Sequence, residues 1–122
     1  PCDELFGAVD AANIDLKGLA PSFCKECGFD PAIVRQTIAR LATSGTHVEV
    51  TTLIVPGRND TPEEVAAIAR WLHETSDDIA YHVTRFFPCW HLLDVPPTPV
   101  EKVYELADVA RRYVSHVAVG NC

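Results

Sequence analysis

The amino-acid sequence predicts an α/β fold, a partial TIM-type barrel of about three and a half βα units with parallel strands. Three observations lead to this prediction. Segments of β-type residues alternate with segments of helical periodicity. Each helical segment follows the same pair of residues, a capping side chain and a proline. The strand segments also alternate polar and apolar side chains, so that each has one polar face.

Each predicted helix begins at a proline that follows a residue able to cap a helix. The three starts are Asp30-Pro31, Thr61-Pro62 and Thr98-Pro99. Proline at the first helical position costs no hydrogen bond, and the side chain before it accepts one from an unpaired backbone N–H. Glu64 and Glu101 lie three residues after the two threonines, so both sites are predicted to be capping boxes.

The strand segments lie before each helix start and after the last helix. They are residues 11–17, 47–55 and 79–87, with another beginning at 117–119. Strands that alternate with helices form parallel sheets through right-handed crossovers. Three and a half units make about half of a full barrel, which leaves a parallel strand edge unpaired. We therefore expect residues 1–122 to be a fragment, or a chain that needs a partner half.

Composition argues against two classes of partner. The formal net charge is −7, whereas nucleic-acid binding rests on clustered Lys and Arg. No apolar run approaches the roughly 20 residues that cross a bilayer, and the first residues lack the layout of a secretion signal. We expect a cytoplasmic protein with neither a nucleic-acid nor a membrane partner.

Polar and apolar residues alternate along the first strand segment. Asn13, Asp15 and Lys17 share one face, and Ile14 and Leu16 share the other. With helices over the apolar face, the polar face points into the barrel. Asp15 and Lys17 then lie at the carboxyl end of the strand, where α/β folds place their active sites. An Asp and a Lys two apart on a strand are also the usual components of a structural ion pair, and this alternative stays open.

The next two strand segments repeat the alternation. In the second, Thr51 shares its face with His47 and Glu49. In the third, His82 lies on one face and Arg85 on the other, near the strand end. The planar guanidinium of Arg85 either binds a carboxylate at the rim of the barrel or pairs with an acidic residue of a neighbouring helix.

The cysteines do not form the regular pattern of a secreted disulfide scaffold, because they are odd in number and unevenly spaced. Cys24 and Cys27 form a single CxxC, which is compatible with a metal site, with redox chemistry, or with reduced thiols that have no special role.

Several motifs occur in an order that resembles one enzyme family. Residues 10–18 (DAANIDLKG) and 48–60 (VEVTTLIVPGRND) resemble the pyruvate formate-lyase activating enzyme family of radical S-adenosylmethionine (SAM) proteins. Residues 82–88 (HVTRFFP), 94–99 (DVPPTP) and 119–121 (VGN) resemble the branch called the AmmeMemoRadiSam system radical SAM enzyme. The resemblance covers nearly the whole chain.

This resemblance implies an oxidoreductase with SAM and a [4Fe-4S] cluster as cofactors. Such an enzyme reductively cleaves SAM to a 5′-deoxyadenosyl radical that abstracts hydrogen, in some members to activate a glycyl-radical enzyme. In the family the Asp-Leu-Lys strand end contacts SAM, so the resemblance assigns Asp15 and Lys17 to SAM. The further cofactor-binding candidates are Asn13, Thr51, His82 and Arg85. No residue is assigned to catalysis or to a metal.

The chain departs from the family in lacking the CxxxCxxC motif that ligates the cluster. Thr51 also stands where activating enzymes can carry an arginine for the SAM carboxylate. The resemblance therefore implies that residues 1–122 are the C-terminal half of a radical SAM partial barrel. The cluster ligands are expected upstream, in an N-terminal half of the barrel. That half is the main expected partner of this chain, and a protein substrate is the second. Alone, the chain is not expected to cleave SAM.

The alternative is a noncatalytic α/β module. In that case Cys24 and Cys27, with Cys89 or Cys122, bind zinc or iron, and the barrel motifs serve only as a scaffold.

Overall fold

The computed structural model describes residues 11–18, 30–87 and 96–121 of the 122-residue chain. Each predicted strand and helix is present, with bounds that differ from the prediction by at most two residues. The strands are β1 (Ala11–Asp15), β2 (His47–Ile54), β3 (Ala80–Arg85) and β4 (His116–Gly120), and the helices are α1 (Pro31–Thr43), α2 (Pro62–Thr75) and α3 (Val100–Ala110).

The strands form one parallel sheet in the order β1-β2-β3-β4. Each strand pairs with the next strand of the sequence, and the described helices bury their apolar faces in one core against a single face of the sheet. A doubly wound sheet instead reverses its strand order and carries helices on both faces. Sequential order with helices on one face is the arrangement of a barrel segment. The predicted α/β, partial TIM-type fold is confirmed.

Two of the three predicted helix caps are present. The side chain of Asp30 accepts a hydrogen bond from the backbone N–H of Ala32 at 2.9 Å. The hydroxyl of Thr61 accepts one from the N–H of Glu64 at 3.2 Å. In both cases a proline occupies the first turn, so the sequence signal and the local structure agree.

The predicted capping box at Thr98 and Glu101 is wrong. α3 begins at Val100, one residue later than expected, and its N-cap Pro99 supplies no side-chain hydrogen bond. The buried Thr98 hydroxyl instead accepts the N–H of Phe86 at 3.1 Å and donates to the carbonyl oxygen of Ile54. These groups end β3 and β2 inside the protein, where an unpaired polar group is costly, so the hydroxyl serves the strands rather than the helix.

The core-facing side of the sheet contains one hydrogen-bonded chain. The Tyr81 hydroxyl donates to the hydroxyl of Thr52 at 2.7 Å, which in turn donates to the carbonyl oxygen of Leu16 at 2.7 Å. All three residues are fully buried. Burial raises the pKa of Tyr81 above its usual range; the bond to Thr52 opposes this shift, and the charge of Glu64 adds to it. These two hydrogen bonds hold the end of β1 against β2 and β3.

We predict that Tyr81→Phe lowers the free energy of unfolding by about 1 kcal/mol at neutral pH, because one buried hydrogen bond is lost. A tyrosine in the unfolded chain ionises near pH 10, about its reference pKa, whereas Tyr81 stays neutral when folded. Above that pH the unfolded state therefore binds fewer protons, and stability falls by up to about 1.4 kcal/mol per pH unit. The variant lacks this loss, so its deficit should narrow above pH 10. Urea denaturation of both proteins at neutral pH and above pH 10 measures this difference in the free energy of unfolding.

The matched control for Tyr81→Phe is Tyr104→Phe, since the side chain of Tyr104 is 50% exposed on α3. This control should follow the wild type at both pH values. A deficit of Tyr81→Phe that stays constant with pH would contradict the buried, neutral phenol.

Candidate functional site

The face of the sheet opposite the helices carries polar side chains on three neighbouring strands. Asn13 and Asp15 on β1, Glu49 and Thr51 on β2, and His82 on β3 alternate with the core residues of the same strands. The register pairs Asn13 with Glu49, Asp15 with Thr51, and Thr51 with His82. We call these five residues the polar band. The predicted polar faces of the first two strands, away from the helices, are confirmed.

Two hydrogen bonds between neighbouring strands organise the polar band. The Thr51 hydroxyl donates to the side-chain oxygen of Asn13 at 3.0 Å. His82 Nε2 lies 2.9 Å from Glu49 Oε1, and these two side chains are 30% and 37% exposed. Each pair spans adjacent strands, so the side chains support one another and keep part of their surface accessible to a ligand.

Asp15 and Lys17 lie at the carboxyl end of β1. Lys17 Nζ is 3.6 Å from Asp15 Oδ2, and the side chains are 39% and 68% exposed, respectively. An exposed pair at this distance contributes about 0–1 kcal/mol to stability, far below the effect of breaking a buried pair. The pair is therefore not a core ion pair, and both charges are accessible at the rim.

Asn59 fixes the backbone beneath this rim. Its side chain is almost completely buried, with 1% exposed. The amide nitrogen donates to the carbonyl oxygen of Lys17 at 2.6 Å and to that of Leu53 at 2.8 Å, and the amide oxygen accepts the N–H of Val55 at 2.7 Å. One side chain thus holds the end of β1 to the end of β2, and the placement of Lys17 follows from it.

Arg85 lies apart from the polar band. By alternation along β3, its position belongs to the face of the buried residues Tyr81 and Val83, opposite to that of His82. The side chain turns at the strand end, and its Nε donates to the carbonyl oxygen of Thr98 at 2.7 Å. Of the predicted site residues, the structure brings together Asn13, Asp15, Lys17, Thr51 and His82 on one face, and it places Arg85 at a different part of the rim.

The described residues contain no group of three or more His, Cys, Asp or Glu side chains arranged to hold a metal ion. The five cysteines all lie outside the described residues, and so does the predicted CxxC metal site of the alternative module.

An open cleft of about 630 Å³ lies at the opposite end of the sheet, at the amino ends of β2, β3 and β4. Thr46, His47, Asp78, Ala80 and His116 line it. In barrels of this type the chemistry is placed at the carboxyl ends of the strands, and the amino ends serve stability. We therefore place the candidate site at the polar band and the carboxyl-end rim rather than in this cleft.

Sequence reasoning missed two residues of this region. Glu49 was placed on the correct face but not among the site residues, although its alternation with Val48 and Val50 was visible. Asn59 lies in a turn-rich loop where asparagine is common for local reasons. Its bond to Lys17 joins residues 42 positions apart, and no local pattern indicates such a contact.

The fold and the polar band define a barrel segment with its candidate site at the strand ends, and comparison with known proteins agrees with the fold. A crystal structure of a domain of pyruvate-formate lyase-activating enzyme from Bacteroides vulgatus superposes with a TM-score of 0.83. The superposition covers 98% of this chain and 72% of that chain, at 14% identity. At this identity the likeness concerns the fold.

The sequence comparisons give one curated relative and no family model. An uncharacterized protein of Methanocaldococcus jannaschii is 36% identical over 115 residues, or 93% of this chain. The chain spans about a third of the length of that relative, 34%. No protein-family model matches the sequence. Within the described residues, no helix has both the length and the apolar character needed to span a bilayer.

We predict that Asn59→Asp lowers the free energy of unfolding by about 3 kcal/mol or more at neutral pH, since a charged oxygen then faces two carbonyl oxygens. Protonation of the new carboxyl restores one donor. Relative to the wild type, the loss should therefore be smaller near pH 4 than near pH 7, because the folded state favours the protonated acid. Chemical denaturation at both pH values measures it.

Asn121→Asp provides the matched control for Asn59→Asp, because Asn121 is exposed and its side-chain bond to the Arg85 carbonyl oxygen is long, at 3.4 Å. This control should remain close to the wild type. An equal loss in both variants, or a loss at Asn59 that is independent of pH, would contradict the role assigned to its amide.

Proposed function

We propose that the chain is the part of a radical SAM enzyme, similar to the activating enzymes, that binds SAM at the carboxyl end of β1 and β2. The observation that carries the proposal is the exposed Asp15–Lys17 pair, 3.6 Å apart at the end of β1 on the face of the polar band. A structural ion pair is buried or supports packing, whereas these charges are accessible to a ligand. The motif resemblance and the activating-enzyme fold of the structural neighbour support the same conclusion.

The side chains at this rim suit the groups that SAM presents. SAM carries a carboxylate, an amino group and ribose hydroxyls. The Lys17 ammonium matches a carboxylate, and the Asp15 carboxylate accepts hydrogen bonds from hydroxyl or ammonium donors. Asn13 and Thr51 offer further polar atoms on the same face, next to Asp15 in the register. These residues fit SAM by their chemistry.

The described residues do not fit the iron–sulfur cluster. No three thiolates or comparable ligands meet among them, and the chain lacks a CxxxCxxC spacing. The proposal therefore assigns the cluster ligands to another half of the barrel. Within the described strands β1 pairs only with β2, so its second edge is suited to accept a further parallel strand from that half.

The reductive cleavage of SAM at a cluster would supply hydrogen-abstracting radical chemistry in the complete enzyme. This chain's own residues bind and orient SAM and the substrate. Lys17 and Asp15 hold polar groups of SAM, and Asn59 fixes the backbone from which Lys17 extends. Glu49 and His82 lie further along the sheet, where their hydrogen-bonded pair orients the imidazole toward a substrate. The substrate is a protein segment such as a glycyl loop in the proposal, and the enzyme acts in the cytoplasm.

We predict that Lys17→Ala, in the enzyme assembled with its cluster-binding half, weakens SAM binding about tenfold or more. A charge-assisted hydrogen bond contributes about 1.5–3 kcal/mol. The melting temperature should hold, because the Asp15–Lys17 pair is exposed. Calorimetric titration with SAM and a thermal melt measure the two quantities on the same sample.

Arg111→Ala is the control for Lys17→Ala, because it breaks an ion pair of similar exposure at the C-terminal end of α3. Arg111 Nη1 lies 2.7 Å from Asp108 Oδ1, with side chains 45% and 73% exposed. This control should change neither SAM affinity nor melting temperature appreciably. Early unfolding of Lys17→Ala together with normal SAM binding would show that Lys17 serves the fold and that the site is misassigned.

A further inference from the structure

The guanidinium of Arg85 is held in one orientation at the end of β3. Its Nε donates to the carbonyl oxygen of Thr98 at 2.7 Å, and its central carbon lies 4.7 Å from the centroid of the Phe87 ring. Its own carbonyl oxygen accepts a bond from the side chain of Asn121 at 3.4 Å. Asn121 has φ +62°, a left-handed conformation that asparagine tolerates better than most residues. The guanidinium and the backbone of Arg85 are thus both constrained.

Thr98 is itself fixed, so the contact that orients Arg85 is preorganised. The Thr98 N–H donates to the carbonyl oxygen of Phe86 at 3.2 Å, and its hydroxyl bonds Phe86 N–H and the Ile54 carbonyl oxygen. The Thr98 side chain is fully buried. An arginine anchored in this way loses little further rotamer entropy when it binds a ligand.

Within residues 11–18, 30–87 and 96–121, no hydrogen bond joins the two terminal nitrogens of Arg85 to another residue. Among the described residues no carboxylate pairs with Arg85, whereas Lys17, His73, His82 and Arg111 each have an acidic partner. The chain has 17 acidic and only 10 basic residues, so acidic partners are abundant. As far as the described residues go, this partly buried, oriented arginine presents the planar edge formed by both terminal nitrogens to a ligand.

We propose that Arg85 binds a carboxylate at the rim, between β3 and the segment that leads into α3, with the exposed ring of Phe87 beside it. One guanidinium balances the single charge of a carboxylate and matches its two oxygens, whereas a phosphate usually recruits several cationic or N–H donors. The site is separate from the polar band, because Arg85 Nε bonds the Thr98 carbonyl oxygen in the segment that leads into α3, whereas the polar band lies on the face opposite the helices. The carboxylate belongs either to SAM, in place of its contact with Lys17, or to the substrate. This assignment depends on the proposed function, whereas the binding of a carboxylate by Arg85 does not.

Phenylacetate is a suitable probe, because it joins a carboxylate to a ring that can pack on Phe87, which is 50% exposed. Phenylacetamide has nearly the same shape without the charge. We expect phenylacetate to shift the NMR resonance of the Arg85 Nε–H saturably, and phenylacetamide to leave it unchanged at the same concentration. Arg85→Lys should weaken phenylacetate binding about tenfold, because lysine keeps the charge but loses the planar edge.

Arg70→Lys is the matched control, since Arg70 is exposed on α2. This variant should bind phenylacetate like the wild type. Equal, unsaturated shifts at Arg70 and Arg85 would indicate general ion screening and overturn the site, as would unchanged binding by Arg85→Lys. Circular dichroism checks that both variants fold, and Phe87→Leu offers a second variant that removes the ring contact and keeps the guanidinium.

Addition of SAM to the enzyme assembled with its cluster-binding half then separates the two sources of carboxylate. Displacement of phenylacetate by SAM assigns the site to the carboxylate of the cofactor. Retention of phenylacetate while SAM shifts the resonances of Asp15 and Lys17 assigns it to a substrate carboxylate. An assembled enzyme that binds phenylacetate but not SAM supports the carboxylate site and counts against the proposed function alone.

Discussion

The geometry of the candidate site depends on the hydrogen bonds of the Asn59 side-chain amide. The carboxyl ends of parallel strands diverge into loops, and backbone groups there lose their ladder partners. Asn59 satisfies three such groups at once, on Lys17, Leu53 and Val55, from a buried position. An apolar residue would leave all three unpaired in the interior. The end of β1, and with it Lys17, is therefore set by a side chain from the loop after β2.

The two faces of the sheet differ in burial and in chemistry. The helix-facing side holds the apolar core and the buried chain from Tyr81 through Thr52 to Leu16. The opposite face holds the polar band, in which Asn13 bonds Thr51 and Glu49 bonds His82 across strands. All members of the band stay partly exposed. Because the core and the rim side chains hold the strands, residues of the polar band can vary in chemistry at small cost to folding. This division suits a parallel barrel segment to serve as a scaffold for a site.

Local patterns were sufficient to predict the elements and the faces of the strands, and long-range contacts explain what they missed. Asp30 and Thr61 cap their helices because each bond lies within three residues. Thr98 carries the same signal, but its hydroxyl bonds the end of β2, 44 residues away, where the buried carbonyl needs a donor. The turn of the Arg85 side chain toward Thr98 likewise depends on a partner outside its strand. Alternation predicts a face; it does not predict where a long side chain at a strand end will go.

Electrostatics at the rim also depend on distance. The net charge of −7 repels anions over a range that salt limits to about 8 Å at physiological ionic strength. Within about 4 Å, a charge-assisted bond to Lys17 or Arg85 is screened far less and outweighs this diffuse repulsion. A phosphate chain spreads its charge beyond any single cationic contact and meets the acidic surface on either side, whereas a carboxylate places its whole charge against one group. The acidic composition therefore disfavours polyanions while leaving a locally bound carboxylate at the rim stable.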